Sequence, residues 1–403
     1  MLQGKHIVLG ISGGIAAYKA PLLVRLLIKA GAQVKCCCTS NALQFITPLT
    51  LQTLSNNPIY TDVFAPHNEH QTEHISLPDW ADLMIVAPAT ANIIGKFAAG
   101  IADDALSTTF LAMQKPVIIA PAMNDKMYSH PALQRNLQTL TTYPNVEVLP
   151  CADGFLACGT NGKGRMLEPE QILYYAQAAL TPKTLLNKKV LITAGPTQEK
   201  IDPVRYISNF STGKMGYALA REAQNRGAEV TLISGPTNLT FSPTNSKSNI
   251  INVLSADQMY QAVMDNATKA DIIILCAAVA DFTVASVGSS KIKRGNSDLC
   301  LQLSPTQDIA AAVGEIRKNN QIVVGFALET DNEEANAIGK LERKKLDYIV
   351  LNSLRDEGAG FGVDTNKVTI YSKQGGKNML PIESKQKVAS DIFEIINNSN
   401  KAY

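Results

Sequence analysis

Short apolar runs alternate with amphipathic stretches along the whole 403-residue chain. Residues 5–10 (KHIVLG), 33–38, 81–89 (ADLMIVAPA), 116–122 (PVIIAPA) and 146–150 (VEVLP) are such runs, and a helical pattern fills the space from Gly14 to Ala30. Runs this short and uniformly apolar fit strands of a parallel sheet covered on both faces. The pattern restarts at 188–196 (KKVLITAGP), followed by a helix over 213–227 (GKMGYALAREAQNRG) and a strand at 228–236 (AEVTLISGP). NIINVL, ADIIILCAAVAD, QIVVGFALE and LDYIVLN continue the series as strands. The tail has hairpin character in KVTIYSKQGGKNMLPI and closes with an amphipathic helix, KQKVASDIFEIINN. The expected fold class is therefore α/β, with two doubly wound, mostly parallel-sheet domains. TPKTLLN (181–187) separates a helix from a fresh strand, which sets the expected domains at 1–187 and 188–403. A Ser/Asn-rich stretch at 242–249 is expected to be a surface loop.

Composition adds bounds. A chain of this length exceeds one comfortable core. Hydrophobic content of 45% and charged content of 18% suit an ordinary globular protein. A formal charge of +2 gives no reason to expect a nucleic-acid or membrane partner. The most apolar helical stretch, APLLVRLLIKAG, is interrupted by Arg25 and Lys29, so no membrane span is expected. MLQGKHIVLG lacks the layout of a signal peptide, which points to the cytoplasm. Seven cysteines is an odd count, and Cys36, Cys37 and Cys38 are consecutive. Neighbours in one strand face opposite sides and cannot pair, so buried thiols in a reducing compartment are expected.

Candidate chemistry begins with GISGGIAAYK, where Ser12, Gly13 and Gly14 follow a strand and open a helix, a place suited to an anionic group. The spacing is not G-x-G-x-x-G, and the second strand ends in Thr39-Ser40 where a dinucleotide fold usually carries an acid. Flavin mononucleotide or another monophosphate is therefore favoured over NAD, although a glycine turn can also be purely structural. Thr90 and Asn92 lie just past one strand end, and Asn124 lies past another in PAMNDKMY. CADGFLACGTNGKGRM (151–166) is a glycine-rich flap around Cys158, whose neighbours Lys163 and Arg165 favour an accessible thiol over a buried one. HNEHQTEH (67–74) holds His67, His70 and His74 with Glu69 and Glu73, which read alone could be a metal cluster.

In the second half, RYISNFSTGKMG enters its helix through Gly213-Lys214 as a P-loop would. Ser208 stands where that motif needs its first glycine, and Met215 where it needs Ser or Thr, so the motif fails twice. AAVADF (277–282) places Asp281 past a strand, KIKR (291–294) supplies cations, and KLERKK sets Lys340 and Lys344 one helical turn apart. Either basic cluster alone suits a solvated face; two within one α/β domain suit a triphosphate.

SGGIAAYK, PATAN, PAMNDKMY and ACGTNGKGRM together resemble the flavin-dependent cysteine decarboxylases. Over essentially its whole length the chain resembles the bifunctional coenzyme A biosynthesis family, in which phosphopantothenoylcysteine decarboxylase is fused to phosphopantothenate–cysteine ligase. The resemblance implies a flavodoxin-like, FMN-binding first domain and a Rossmann-like second. In the first, Ser12, Gly13, Gly14, Thr39, Thr90 and Asn92 would bind the cofactor. The implied chemistry oxidises the cysteinyl CH2–SH to a thioaldehyde, releases CO2, and reduces the resulting ene-thiolate. His74 would be the acid/base, Asn124 would hold the carboxylate, and Cys158 would supply the last proton.

For the second domain the resemblance implies attack of the 4'-phosphopantothenate carboxylate on CTP, release of pyrophosphate, and displacement of CMP by the cysteine amine. Lys291 would neutralise charge in the first step and Asn209 would hold the acyl-phosphate. Ala277, Asp281, Gln307, Asp308, Phe326, Lys340, Lys344 and also Lys291 would bind CTP, while Gly213 and Gly216 would let backbone come close. Mg2+ is expected with the triphosphate, its protein ligands unassigned. A homo-oligomer, a dodecamer of trimeric decarboxylase and dimeric ligase domains, is implied as well. The sequence departs from the family pattern at Tyr128 (often Trp), Gln307 (Pro) and Ser353 (Asp). Two alternatives stand beside this reading. Another FMN-dependent decarboxylase would leave the Cys158 flap and the second domain unexplained. A flavin-binding regulatory subunit gripping a partner phosphatase could dispense with His74, Asn124, Cys158 and Asn209, all of which are present.

Overall fold

The computed structural model describes residues 2–63, 73–155, 161–241, 247–294, 298–329, 331–353, 360 and 362–399. They form two compact units, Met1–Thr181 and Pro182–Tyr403. The segment after Thr181 packs with the second unit, where Leu185 joins the core and its N–H donates to the Arg226 carbonyl at 2.9 Å.

The first unit holds a six-stranded parallel sheet: β1 (His6–Ile11), β2 (Gln33–Cys38), β3 (Ile59–Tyr60), β4 (Leu83–Ala89), β5 (Val117–Pro121) and β6 (Val146–Val148). Their order is β3-β2-β1-β4-β5-β6, so the chain switches direction between β1 and β4. Helices α1 (Ala20–Lys29), α2 (Pro48–Ser55), α3 (Glu73–Trp80), α4 (Ala91–Ala99), α5 (Ala105–Ala112), α6 (Asp125–Tyr128), α7 (Pro131–Thr141) and α8 (Pro169–Leu180) complete the alternation. An antiparallel hairpin, β7 (Ala152–Phe155) with β8 (Asn161–Arg165), interrupts it. Period-2 alternation in β1 splits the core: Ile7, Leu9 and Ile11 pack on one face and Val8 on the other. Cys36 and Cys38 likewise face one side and Cys37 the other, all buried. Burial pushes the Cys38 thiol up to about 12. The helix expected from Gly14 to Ala30 is a 3-10 segment, Ile15–Lys19, followed by α1 with Pro21 in its first turn. Proline has no N–H to continue a preceding helix and suits the start of a new one.

The second unit repeats the plan around a sheet ordered β13-β12-β9-β14-β17-β18-β20-β21. Its parallel strands are β9 (Lys189–Ala194), β12 (Glu229–Ser234), β13 (Asn249–Asn252), β14 (Ile272–Leu275), β17 (Ile322–Glu329) and β18 (Tyr348–Ser353). The chain switches direction between β9 and β14. The expected hairpin is β20 (Val368–Ser372) with β21 (Lys377–Met379), added antiparallel to β18. Two small ribbons pair β10 (Gln198–Lys200) with β11 (Tyr206–Ser208), and β15 (Phe282–Val284) with β16 (Leu303–Pro305); a third joins β19 (Thr365–Asn366) to β22 (Glu383–Ser384). The helices are α9 (Lys214–Asn225), α10 (Ala256–Ala267), α11 (Ile309–Ile316), α12 (Glu333–Arg343) and α13 (Lys385–Ser399). β14 is shorter than the apolar run ADIIILCAAVAD. The Thr193 hydroxyl accepts from the N–H groups of Cys276 (3.1 Å) and Ala277 (3.2 Å), so the chain leaves the ladder there and 276–281 becomes a loop. Of the Ser/Asn-rich stretch at 242–249, residues 242–246 lie outside the described residues and Asn249 already opens β13. No helix among the described residues is long and apolar enough to cross a membrane.

Candidate functional site

In the first unit the candidate residues collect at carboxyl ends of strands beside the switch point, where ligands of open α/β sheets bind. The Ser12 hydroxyl is buried; it donates to the Pro88 carbonyl (2.8 Å) and accepts from the Thr90 N–H (2.9 Å), tying the turn after β1 to the turn after β4. The Ala87–Pro88 peptide between them is cis. Thr39 folds back on its own turn, its hydroxyl accepting from the Ala42 N–H at 3.3 Å. A Cβ on Gly13 would lie 2.4 Å from the Asn41 Cβ, and one on Gly14 would lie 3.1 Å from the Thr90 methyl. Thr90 caps α4, and Asn92 is exposed in its first turn.

Asn124 caps α6, its amide oxygen accepting from the Lys126 N–H at 2.9 Å, which sets the direction of its NH2. The β7–β8 hairpin lies directly on this turn. A Cβ on Gly162 would stand 2.8 Å from the Asp125 Cβ, and one on Gly164 only 2.4 Å from the Met123 carbonyl oxygen. Cys158, between β7 and β8 in sequence, lies outside the described residues. His74 is the second residue of α3, and its Nδ1 is buried without a hydrogen-bond partner among the described residues. Buried polar atoms are nearly always hydrogen-bonded, and a catalytic role is one reason for an exception. His67, His70 and Glu69 fall outside the described residues, among which no group of three or more His, Cys, Asp or Glu side chains is arranged for a metal. Cys151 and Tyr128 are near neighbours under the hairpin, and burial pushes the Cys151 thiol up to about 11.

In the second unit a cavity of about 380 Å³ opens at the switch point. Asn209, Ala277, Asp281 and Phe326 all line it, from three different segments. The Asn209 amide donates to the Ala278 carbonyl at 2.8 Å, fixing the loop after β11 against the loop after β14. Lys291, Gln307, Asp308, Lys340 and Lys344 are not among the lining residues. Lys340 pairs with Glu329 (2.6 Å), and Lys344, just past the end of α12, pairs with Asp308 (3.0 Å). Asp308 also caps α11. Burial works to raise its pKa, but the Ala311 N–H and Lys344 outweigh that and hold it below the usual carboxylate range. Gly216 lines the cavity and also serves packing: a Cβ there would lie 2.5 Å from the Ala194 Cβ, so it lets α9 lie on β9.

Several polar contacts around these sites carry no motif. Lys19 is buried and donates to Glu168 (3.0 Å), joining the helix after the glycine turn to the residues after β8. Asp202 is buried, accepting from the N–H groups of Val204 and Arg205 (both 2.8 Å) and of Ile292 (3.1 Å), and so anchors the segment bearing Lys291. Lys214 and Lys385 line the cavity itself. A larger hollow, about 680 Å³, lies near the amino end of β18, but none of the candidate residues lines it.

The Flavoprotein family model matches residues 1–181, and the model for the DNA/pantothenate metabolism flavoprotein C-terminal domain matches residues 185–399. The chain is 49% identical over 399 residues to the coenzyme A biosynthesis bifunctional protein CoaBC of Bacillus subtilis (strain 168), over 98% of this chain and 97% of that one. It is 46% identical over 402 residues to the protein of the same name from Haemophilus influenzae, over 99% of each chain. A solved structure of the C-terminal domain of a CoaBC protein is 41% identical, covers 55% of this chain and 100% of its own, and has a TM-score of 0.46. The chain therefore belongs to the family of bifunctional coenzyme A biosynthesis proteins, flavoprotein enzymes with phosphopantothenoylcysteine decarboxylase and phosphopantothenate–cysteine ligase activities.

Proposed function

We propose that residues 1–187 decarboxylate phosphopantothenoylcysteine with FMN, and that residues 188–403 make that compound from 4'-phosphopantothenate and cysteine with CTP and Mg2+. The observation that carries this reading is that, in each unit, candidate residues from separate motifs meet where the sheet switches direction.

Gly13 and Gly14 are free of side chains where a Cβ would crowd Asn41 or Thr90, which suits close approach of backbone to an anionic group. They, with Ser12, Thr39, Thr90 and Asn92, would bind FMN, and the hydroxyls of Ser12 and Thr39 also hold the surrounding turns. Bound there, FMN supplies the means of taking up and returning an electron pair. His74 handles the proton at the reacting centre, and its Nδ1, buried without a partner among the described residues, supports that role. Asn124 holds the substrate carboxylate with its amide, adding no charge that would resist loss of CO2. Cys158 gives the final proton.

In the ligase, Asn209 donates toward the acyl-phosphate as the amine attacks, without being a rival nucleophile. Ala277, Asp281 and Phe326 form the nucleotide side of the cavity. Gln307, Asp308, Lys340 and Lys344 are assigned to the nucleotide, and Lys291 to charge neutralisation, from family resemblance. Mg2+ enters with the triphosphate. We assign the enzyme to the cytoplasm and to a homo-oligomer, a dodecamer; the exposed Tyr206, Phe210, Phe282, Leu299 and Leu303 support self-association of the ligase unit.

A coupled assay with 4'-phosphopantothenate, cysteine and CTP tests the reading, with pyrophosphate and CO2 both measured. Pyrophosphate without CO2 would leave only the ligase. The purified protein should be yellow with FMN. Cys158→Ser should still release CO2 but stop short of the reduced thiol, and full turnover by that variant would remove Cys158 from the mechanism.

A further inference from the structure

The ligase cavity has a cationic wall. Lys214, the first residue of α9, and Lys385, the first residue of α13, line it together with Gly360, Asn352 and Asn366. Lys385 is only 5% exposed, and its ammonium donates to the carbonyls of Gly360 (3.2 Å) and Val363 (2.5 Å). Lys214 donates to the Gly362 carbonyl (2.8 Å) and pairs with Asp364 (2.7 Å). Burial, and after it the nearby Lys214, hold the Lys385 pKa below the usual lysine range. Asp364 is the carboxylate that both lysines feel, and its side chain is 87% exposed. Two ammonium groups therefore share one solvent-facing carboxylate, and burying an ammonium without a close counter-charge is costly. Among the described residues, Asp364 is the carboxylate that acts on both ammonium groups of this wall.

We propose that Lys214 and Lys385 seat the phosphate monoester of 4'-phosphopantothenate, with Asp364 holding Lys214 when the substrate is absent. This deepens the ligase reading and rests on it. A phosphate monoester carries nearly two negative charges at neutral pH and three strong acceptor oxygens, which matches two converging ammonium groups. An exposed pair such as Lys214–Asp364 is weak and gives way readily. Asn209, in the loop after β11, and Lys214, at the start of α9, stand five positions apart on the cavity's border, so a single segment serves the substrate's carboxylate at one end and its phosphate at the other. The triphosphate is assigned its own cations, Lys291, Lys340 and Lys344, outside this cavity lining. Of the other substrate anions, the two carboxylates carry one charge each, and the monoester, with nearly two, best matches two ammonium groups.

The test uses the full-length enzyme and the pyrophosphate assay, varying 4'-phosphopantothenate and CTP separately and offering pantothenate as the unphosphorylated alternative. Lys214→Gln should raise KM for 4'-phosphopantothenate about tenfold or more, as loss of a charge-assisted contact does. It should leave KM for CTP within about twofold and narrow the preference for phosphorylated over unphosphorylated substrate. Lys214→Arg, which keeps the charge, should recover most of the loss. Lys385→Gln should behave like Lys214→Gln where it folds; being buried, it is checked first by thermal unfolding, and Lys214→Gln carries the test regardless. An unchanged 4'-phosphopantothenate KM in Lys214→Gln, or a rise confined to CTP, overturns the proposal. A wild-type enzyme that forms no amide would overturn the ligase reading instead, so the two failures are distinct.

Discussion

Thr237 presses its methyl group against Gly213: a Cβ built on that glycine would lie 2.7 Å from the Thr237 Cγ2. The same methyl would stand 2.9 Å from a Cβ on Gly195. Both glycines are in the left-handed region, with φ of 77° and 78°. The Thr237 hydroxyl donates to the Tyr217 hydroxyl (3.2 Å), which in turn contacts the buried Ser234 (3.0 Å) at the end of β12. A line of side chains thus sets where the loop from Asn209 enters α9.

Gly213→Ala should therefore damage the ligase and spare the decarboxylase. The left-handed backbone alone costs an L-residue roughly 1–2 kcal/mol, before the clash with Thr237. Amide formation should fall at least tenfold, about what a displaced catalytic amide costs, while CO2 release from supplied phosphopantothenoylcysteine stays normal. Adding Thr237→Ser, which removes the methyl and keeps the hydroxyl, should restore part of the loss. Wild-type amide formation by Gly213→Ala would show that this contact does not position Asn209.

Asp202 gives a prediction about the other end of the ligase. Its carboxylate joins the turn after β10 to Ile292, next to Lys291, and Arg205 adds an ion pair at 3.0 Å. Burial works to raise its pKa, but the N–H donors and Arg205 outweigh it and keep the group ionised. Asp202→Asn should loosen the segment bearing Lys291 and slow pyrophosphate release more than the later amide step. Single-turnover measurements from CTP, and from preformed acyl-cytidylate, would separate the two. Equal slowing of both would rule out a specific effect through Lys291.

The sheets were legible from sequence because parallel strands covered on both faces leave unbroken apolar runs; all seven positions of Leu83–Ala89 are buried. The strand-end residues Ser12, Thr90 and Asn124 were legible for the same reason, since each follows such a run. Contacts between polar side chains far apart in sequence were not. Lys19 meets Glu168 across 149 positions and Lys214 meets Asp364 across 150, and no local pattern encodes either pairing. The packing of Gly216 on Ala194 was not legible either, because a glycine needed for helix–strand packing looks the same in sequence as one needed beside a ligand. The over-long strand expected at 270–281 has a similar cause, because the hydroxyl that ends it belongs to Thr193 on a neighbouring strand.

Asp104 links stability to pH in the first unit. It caps α5 by accepting from the Ser107 N–H (2.8 Å) and pairs with Lys96 (2.6 Å). Burial works to raise its pKa, yet the bonds from Lys96 and Ser107 prevail and hold it below the ordinary range. A carboxyl lowered in the folded state contributes fully above its unfolded value, near about 3.9, and loses that contribution as pH falls through its folded value. Asp104→Ala should cost about 1 kcal/mol at pH 7, as loss of an N-cap does. The gap from wild type should narrow below about pH 4. Urea melts at pH 7 and in acid would measure this, and a gap independent of pH would exclude the charged cap.

The last prediction concerns the hairpin that carries Cys158. Gly164 has φ of 138°, its carbonyl accepts from the Met123 N–H at 2.9 Å, and its Cα faces the Met123 carbonyl with no room for a Cβ. Gly164→Ala must lift β8 from the turn bearing Asn124. A displacement of this size at a catalytic group costs on the order of a hundredfold in rate. Completion of the decarboxylase reaction should fall by about that factor, while ligation continues at its normal rate. If the hairpin's role is to bring Cys158 to the intermediate, CO2 should still be released, and mass spectrometry should find product two hydrogens short of 4'-phosphopantetheine. If the hairpin also shapes the carboxylate site through Asn124, CO2 release should fall in step with the reduced product. Fully reduced product at the wild-type rate would mean that neither contact positions the reaction.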